Sequence, residues 1–400
     1  MIERKITNEL KLLAKEYPVV TVIGPRQSGK TTLVKHIFPE YQYCSLEDID
    51  MRDFAQSDPR AFFKKFSGFT IIDEIQRVPE LLSYIQTIVD EEKLNGRFII
   101  TGSHQLKLKA EVTQSLAGRT AVLKLLPLSI SELSSIGCEL DRDELCFRGF
   151  YPKIYSENVR PHRLLANYYE TYLERDVRQL INLKDLSLFQ NFIKLLAGRV
   201  GQILNLTSLA NDTGVSSTTL KEWLSILEAS FVIFKLPPYY ENFGKRVIKS
   251  PKYYFTDVGL LCYLLGIEKA EQVARDPLLG NIFENMVVIE FLKERYARGE
   301  EAGLYFFRDS NGNEVDLVLK QGRALIPIDL TASSPFPSPF LPVLLPFPSL
   351  AASSASGLVF FAGALSPARA APRVLPSRAL ASVFASRSPG ALPAPPLRPF

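Results

Sequence analysis

The fold class follows from one stretch near the start of the chain, Gly24-Pro25-Arg26-Gln27-Ser28-Gly29-Lys30-Thr31-Thr32. The residues before it, Tyr17 to Ile23, are rich in β-branched side chains and predict a short buried strand. The residues after it, up to Phe38, predict a helix that ends before Pro39. The stretch therefore connects a strand to a helix, and it matches the pattern G-x-x-x-x-G-K-S/T in full.

This strand–loop–helix unit has the chemistry of a phosphate-binding site. Its glycines let the loop wrap with backbone amides pointing inward, and the helix N-terminus adds the positive end of its dipole. Lys30 can reach the β- and γ-phosphates of a nucleotide, and the Thr31 hydroxyl can ligate Mg²⁺. We therefore predict that the loop binds ATP together with Mg²⁺. The predicted nucleotide-binding residues are Gly24, Pro25, Gln27, Ser28, Gly29, Lys30, Thr31 and Thr32.

A second hydrophobic run, Phe69–Ile72, ends in the two acids Asp73 and Glu74. In a parallel sheet we expect this strand to lie beside the strand before the loop, with its C-terminal end at the ligand crevice. Asp73 is then predicted to hold Mg²⁺, and Glu74 to polarise a water for attack on the γ-phosphate. The alternative is an ordinary strand that ends in a charged turn.

Further hydrophobic runs extend the pattern to an α/β domain. The run Arg97–Thr101 predicts a buried strand followed by Gly102 and Ser103. Ser103 is predicted to hydrogen-bond the attacking water or the γ-phosphate, and the alternative is a local turn bond. More strands are predicted at residues 43–46 and 121–126, and helices at 78–91 and 106–116. This alternation predicts a parallel sheet of about five strands with helices on both faces.

Four motifs in order, at residues 24–33, 71–82, 99–103 and 115–119, carry a resemblance to a known family. The chain resembles the AAA-type ATPases of bacteria and archaea that carry a C-terminal domain of unknown function, with residues 1–140 as the ATPase domain. The resemblance implies that Ser103 takes the sensor position. It also makes Arg119 a candidate arginine finger or sensor that completes a neighbour's site in a homo-oligomer, and the alternative for Arg119 is a surface salt bridge. ATPases with a catalytic glutamate typically have an extra strand between the loop strand and the Asp-Glu strand.

Residues 141–270 predict a mainly helical second domain. The segments Leu206–Ser216 and Ser217–Ala229 have the form of a helix-turn-helix, with Gly214 in the turn. The runs at 231–236 and 252–255 are predicted to pair as the wing of a winged helix. The basic residues suited to contact phosphates there are Lys245, Arg246, Lys249 and Lys252. We predict that residues 205–255 bind a DNA or protein partner, and packing or protein contacts are favoured over DNA because the second helix offers only Lys221.

Residues 271–330 resemble the start of a restriction-endonuclease-like core. In such a core, an acid on one strand and an acid-x-lysine pattern on the next strand cluster around Mg²⁺. Together they activate a water for attack on a phosphodiester. Asp316 and Asp329 occupy the acid positions, and Glu284 is a candidate third carboxylate on a helix. The lysine position is Thr331, which cannot supply the cation. We therefore favour a remnant, truncated fold with a structural role over an active nuclease.

The last seventy residues, 331–400, differ in composition from the rest of the chain. They hold 14 of the 27 prolines, five arginines, no lysine and no acid. Proline at this density blocks helix interiors and central strands. We favour an altered reading frame or a mis-predicted gene end. The alternatives are a disordered tail and a weakly apolar membrane segment at 349–366.

Composition and charge exclude several classes of protein. The four cysteines lie far apart with no Cys-x-x-Cys pair, which argues against a zinc site or a disulfide framework. The first seventeen residues mix charges with spaced Ile and Leu, which predicts an amphipathic surface helix rather than a secretion signal. We therefore expect a cytoplasmic protein with no membrane partner. Outside the tail, acids exceed bases by one, so overall charge is no argument for nucleic-acid binding.

Together, these observations predict a Mg²⁺-dependent ATPase. The predicted catalytic residues are Glu74, Lys30, Ser103 and Arg119, and the predicted metal ligands are Thr31 and Asp73. Two alternatives remain at this stage. One is a nucleotide switch that holds ATP with little turnover while the C-terminal module binds its partner, and the other is a degraded metal-dependent DNA nuclease.

Overall fold

The computed structural model describes residues 2–103, 115–173, 186–239, 250–309 and 313–331, and the backbone of residues 358–361. The predicted helix at 106–116 lies almost wholly outside these residues, as do Lys245, Arg246 and Lys249 of the predicted wing. Most of the proline-rich segment, including nearly all of the membrane segment considered at 349–366, also lies outside them. Within the described ranges, no helix is both long enough and apolar enough to cross a membrane.

The N-terminal part is built around a five-stranded parallel sheet. Its strands are β1 Val19–Ile23, β2 Gln42–Ser45, β3 Thr70–Asp73, β4 Phe98–Gly102 and β5 Thr120–Lys124. Strands β1, β3 and β4 are buried along their whole length, as expected of parallel strands covered on both faces. The α/β class and the positions of the predicted strands in this part are confirmed.

The order across the sheet is β2-β3-β4-β1-β5. The expectation that the Asp-Glu strand lies directly beside the loop strand is therefore wrong, because β4 lies between β3 and β1. The inserted strand agrees with the expectation for ATPases that use a catalytic glutamate. Burial accounts for the arrangement: Phe98, Ile99 and Ile100 of β4 are all fully buried, whereas β2, which occupies the edge, is half exposed.

Helices cover both faces of this sheet. They are α1 Thr7–Glu16, α2 Lys30–Ile37, α3 Ile49–Ser57, α4 Pro59–Lys65 and α5 Leu81–Glu92, with a 3₁₀ turn at Ile75–Arg77. Successive residues of β1 point to opposite faces. Val20 and Val22 pack with Leu33 of α2 in one cluster, whereas Val19 and Ile23 join the larger cluster on the other face.

The region that follows the sheet is mainly helical. Its helices are α6 Ile130–Ser135, α7 Arg142–Arg148, α8 Pro152–Ser156, α9 Pro161–Tyr168 (continued by a π-helical turn, Tyr169–Leu173), α10 Leu186–Ala197, α11 Leu206–Thr213, α12 Ser217–Ala229, α13 Val258–Leu264 and α14 Ala270–Val273. The two helices that the sequence predicts on either side of Gly214 are present. Gly214 ends α11 in a left-handed conformation, and the Ser216 side chain accepts a hydrogen bond from the Thr219 N–H to cap α12.

Two short strands, β6 Ile233–Leu236 and β7 Lys252–Phe255, pair in antiparallel orientation after α12. One face of α12 is buried, and its residues include Leu220, Trp223, Leu224 and Leu227. The Trp223 ring contacts Phe189 and Phe192 of α10. These contacts join α12 to the core, so its other face is the one available to a partner.

The C-terminal part consists of a long helix and a second sheet. Helix α15 spans Leu279–Ala297, and the strands are β8 Leu304–Arg308, β9 Glu314–Gln321, β10 Ala324–Thr331 and β11 Leu358–Phe361. The order is β11-β10-β9-β8, with β8, β9 and β10 antiparallel and β11 parallel to β10. Strand β11 lies within residues 331–400, so a short part of that segment pairs with this sheet.

Candidate active site

The loop between β1 and α2 depends on two glycines. At Gly24 an added Cβ would lie 2.0 Å from the Leu125 carbonyl oxygen, so only glycine fits this close approach between the loop and the end of β5. Gly29 has a φ of 93° and precedes the first residue of α2. This left-handed conformation favours glycine and turns the chain into the helix. The two glycines thereby allow the backbone to adopt the shape of this loop.

Lys30 is buried within the loop. Its Nζ donates to the carbonyl oxygens of Gly24 and Pro25, at 2.9 Å in each case. Burial lowers the pKa of the Lys30 amine below its ordinary value, and the nearby carboxylates of Glu74 and Asp73 oppose that shift. The ammonium group thus lies at the loop and within the field of the predicted catalytic acid Glu74 and the predicted metal ligand Asp73.

Thr31 and Asp73 are in direct contact. The Thr31 hydroxyl donates to the Asp73 carboxylate, at 2.9 Å from Oδ2 and 3.1 Å from Oδ1. Tyr43 donates its hydroxyl to Oδ2 at 3.0 Å, and Thr101 donates to Oδ1. The two predicted metal ligands therefore meet at the carboxyl ends of the strands, and neighbouring hydroxyls orient the carboxylate.

Glu74 is held by one residue of β4, by the residue that follows this strand and by one residue of the 3₁₀ turn. The Ser103 hydroxyl donates to Glu74 Oε2 at 3.0 Å, and the Gln76 side-chain amide donates to the same oxygen. The Glu74 backbone N–H donates to Thr101 Oγ1 at 3.2 Å. With φ 58° and ψ 48°, Glu74 adopts the left-handed conformation, which is uncommon for a residue with a side chain and concentrates at functional sites.

Several buried polar atoms that border the same loop have no hydrogen-bond partner among the residues that the structure describes. They include Gln27 Oε1 and Ser28 Oγ of the loop and Gln76 Oε1 beside Glu74. Leaving such atoms unpaired is costly, so a polar ligand is the natural partner for them. The adjacent hydroxyl and carboxylate of Thr31 and Asp73 are hard oxygen ligands of the type that Mg²⁺ prefers. The residues present therefore fit a nucleotide with its Mg²⁺.

The remaining predicted loop residues are arranged around this centre. Pro25 contributes its carbonyl to Lys30 and to the Ser28 N–H, and Thr32 is an exposed residue in the first turn of α2. The Gly24-to-Thr32 stretch, Asp73, Glu74 and Ser103 thus come together at one end of the sheet. The catalytic and binding roles assigned to these residues remain predictions.

Arg119 lies elsewhere in the domain. It immediately precedes β5, whose first residue is opposite Val19, so it lies at the end of the sheet away from the loop. Its guanidinium binds both carboxylate oxygens of Asp90, at 2.6 and 2.8 Å. This is the surface salt bridge that the sequence left as the alternative. Arg119 does not join the catalytic residues of its own chain.

The sequence did not single out four residues that support the site. Tyr43, Thr101 and Gln76 contact the two acids as described above. Arg4 donates to the Ser28 carbonyl of the loop at 2.7 Å and to the Leu126 carbonyl at 2.6 Å, and it pairs with Glu132. Thr101 and Gln76 lie within the motifs at residues 99–103 and 71–82, so their position in the sequence could have indicated that they lie close to the site. Nothing local to Arg4 indicates that it reaches the loop.

One of the predicted nuclease acids, Glu284, lies beside a buried lysine. Lys252 Nζ is 3.3 Å from Glu284 Oε1 and 2.8 Å from Glu314 Oε1. Asp316 accepts a hydrogen bond from the Leu330 N–H at 2.8 Å. Among the residues that the structure describes, no group of three or more acidic, histidine or cysteine side chains is arranged to hold a metal ion. Lys252 therefore serves here as an ion-pair partner for carboxylates.

Three family models match successive parts of the chain. Residues 16–134 match the family described as AAA domain, residues 139–271 match a domain of unknown function (DUF8612), and residues 279–370 match another (DUF4143). Uncharacterized proteins of Mycobacterium tuberculosis and Mycobacterium bovis are each 32% identical over 324 residues, which cover 80% of this chain and 72% of the relative.

More distant similarities extend to an archaeal protein and to a solved structure. An uncharacterized protein of Methanocaldococcus jannaschii is 24% identical over 339 residues, covering 72% of this chain and 69% of the relative. The Walker-type ATPase of Pyrococcus abyssi is similar with a TM-score of 0.44 and 14% identity, covering 66% of this chain and 96% of that one.

Proposed function

Because the chain belongs to the family of AAA-domain proteins that includes these two mycobacterial relatives, we propose that it is a Mg²⁺-dependent enzyme that hydrolyses ATP. The observation that carries the proposal is the meeting of the loop, the Thr31–Asp73 pair and Glu74 at one end of a parallel sheet. A site that only binds phosphate would need the loop but neither the Thr31–Asp73 pair nor Glu74. A carboxylate beside the metal ligands adds the means to activate water.

The proposed mechanism assigns one role to each residue. The loop amides and Lys30 bind the phosphates and stabilise the negative charge that develops on the γ-phosphate. Thr31 and Asp73 would hold Mg²⁺, which neutralises phosphate charge when bound. Glu74 orients the attacking water and accepts its proton, while Ser103 fixes the Glu74 carboxylate. The water then attacks in line with the leaving phosphate oxygen.

The decisive experiment is Glu74→Gln. The variant should retain ATP affinity, because Lys30 and the loop are unchanged, and its turnover should fall by about 10²–10⁴-fold, the usual contribution of a general base. Turnover is measured by phosphate release and affinity by titration with a fluorescent ATP analogue. Glu80→Gln is a matched control, because Glu80 is an exposed glutamate close in sequence, and it should hydrolyse ATP at the normal rate. Unchanged turnover in Glu74→Gln rejects the proposed mechanism.

We further propose that residues 205–255 bind a protein rather than the DNA major groove. The exposed side chains of α12 are Thr218, Lys221, Glu222, Ser225 and Glu228. Two acids against one lysine oppose approach to phosphates, because DNA affinity is dominated by cationic contacts to the backbone. Turnover measured with and without duplex DNA tests this directly. Strong stimulation by DNA that disappears in Lys221→Glu would contradict the protein-partner proposal.

A further inference from the structure

Gln76 makes contacts that packing alone does not explain. It lies in the 3₁₀ turn that directly follows Glu74, and its Nε2 donates to Glu74 Oε2 and to Ser103 Oγ, the latter at 3.2 Å. A carboxylate can only accept hydrogen bonds, so the amide nitrogen of Gln76 must face it. This leaves Gln76 Oε1 buried and without a partner among the described residues.

The conformation of Glu74 brings the two side chains together. Its left-handed backbone reverses the chain at the end of β3, and the Thr101 hydroxyl accepts the Glu74 N–H and stabilises that conformation. The side chain two residues later then folds back onto the Glu74 carboxylate. A leucine or methionine could fill the same space but could not donate a hydrogen bond to the carboxylate. The amide is thus best explained by the hydrogen bond that it donates.

We propose that Gln76 is the positioning residue for Glu74, acting through the hydrogen bond from its amide to the carboxylate that orients the attacking water. This inference rests on the proposed function and names a residue that the hydrolysis mechanism above does not use. Ser103 and Gln76 approach the same oxygen, Oε2. The other oxygen, Oε1, is then the one directed at the water. Without Gln76 the carboxylate can rotate, and fewer encounters are productive.

The test is a double-mutant cycle with Gln76→Met and Glu74→Gln. Gln76→Met keeps the length of the side chain and removes the amide. We expect kcat to fall by about 10–100-fold, the cost of one hydrogen bond to a charged group, while KM for ATP changes by less than about twofold because the phosphate loop is untouched. Gln86→Met, a half-buried glutamine of α5 changed in the same way, should leave both constants unchanged.

The second arm of the cycle separates positioning from a structural role. In the Glu74→Gln background, adding Gln76→Met should lower kcat no further, because Gln76 acts only through the carboxylate. Equal losses in both backgrounds, or an unchanged kcat in the single variant, overturn the inference. Gln76→Ala provides a second variant in case the thioether does not fit. If Glu74→Gln keeps normal turnover, the proposed function is rejected together with this inference. If Glu74→Gln lowers turnover but Gln76→Met leaves kcat unchanged, only the inference about Gln76 is rejected.

Discussion

Thr31 Oγ1 and Asp73 Oδ2 lie 2.9 Å apart, although the strands that precede them are not neighbours in the sheet. Thr31 belongs to the first turn of α2, which follows β1, and Asp73 ends β3 on the far side of β4. The helix crosses over the end of the inserted strand to make the contact. The two predicted metal ligands therefore share a hydrogen bond that only the three-dimensional arrangement creates.

This contact predicts a metal-dependent loss of affinity in Asp73→Asn. Replacing the carboxylate removes a charged Mg²⁺ ligand, whereas Tyr43→Phe removes only a hydroxyl that orients it. We expect Tyr43→Phe to weaken Mg²⁺-dependent ATP binding by about tenfold, as for other residues that orient metal ligands, and Asp73→Asn to weaken it more.

Calorimetric titration with Mg²⁺ and with a chelator distinguishes the metal from the loop. The losses should appear only with Mg²⁺, because the loop contacts to phosphate are the same in both variants. An equal loss in the presence of the chelator would show that Asp73 and Tyr43 shape the loop instead of holding the metal.

Arg119 is predicted either to contribute to the ATPase site of a neighbouring subunit or to have no part in hydrolysis. It lies at the opposite end of β5 from the loop, which reaches Leu125 just after that strand, so Arg119 is about 20 Å from the loop at ~3.3 Å per strand residue. It is also engaged by Asp90. If Arg119 completes a neighbour's site, Arg119→Ala and Glu74→Gln will each be slow alone. Mixing the two proteins should restore part of the turnover, because mixed assemblies contain some sites with both residues.

The control for this mixing experiment is Asp90→Ala, which frees Arg119 from its salt bridge. That variant should retain turnover if the arginine acts on a neighbour. Full activity of Arg119→Ala alone would assign Arg119 to the surface salt bridge only.

Lys252 is predicted to be required for stability. Its ammonium group is buried between Glu284 and Glu314. Burial alone would lower the pKa of Lys252, but these carboxylates outweigh it and raise the pKa. Lys252→Met should lower the free energy of unfolding by about 3–5 kcal/mol, because it leaves the mostly buried Glu284 carboxylate without its cation. Urea unfolding followed by circular dichroism measures the difference.

Two further variants test whether the loss of stability in Lys252→Met comes from the missing charge. Lys153→Met removes a lysine from an exposed pair with Glu157 and should change stability by less than about 1 kcal/mol. Adding Glu284→Gln to Lys252→Met should recover part of the loss, because one unpaired charge is then absent. No recovery would mean that the lysine stem, and not its charge, stabilises this contact.

Asp329→Asn is predicted to reduce the pH dependence of stability. Burial raises the pKa of Asp329 above its ordinary value near 4, and the Asp316 carboxylate on the neighbouring strand raises it further. The folded state then binds more protons than the unfolded state between the ordinary and the raised pKa. The free energy of unfolding contributed by this group therefore falls as pH rises through that window.

The variant lacks this titration, so its stability relative to the natural chain should improve as pH rises from about 4. Denaturant unfolding of both proteins at several pH values up to neutrality measures the difference. A difference that stays constant with pH would show that Asp329 titrates alike in both states.

The amino-acid sequence alone was sufficient for the local structure and the chemistry of the phosphate loop. Gly24 and Gly29, Lys30 and Thr31 are neighbours in the chain, so their pattern specifies both the turn and its ligands. The strands of the first sheet were predictable for a similar reason, since continuous apolar runs bury both faces. The boundary between α11 and α12 was predictable from Gly214, which ends the first of these helices locally.

Long-range packing determined the order of the strands and the contacts between residues that are distant in the sequence. The placement of β4 between β1 and β3 depends on how whole strands are buried, and no local pattern encodes the order of strands. The contacts of Arg4 with Ser28 and of Lys252 with Glu284 join residues far apart in the chain. Such contacts form only when the core has brought their elements together, because the free energy that selects them comes from burial distributed over the entire fold.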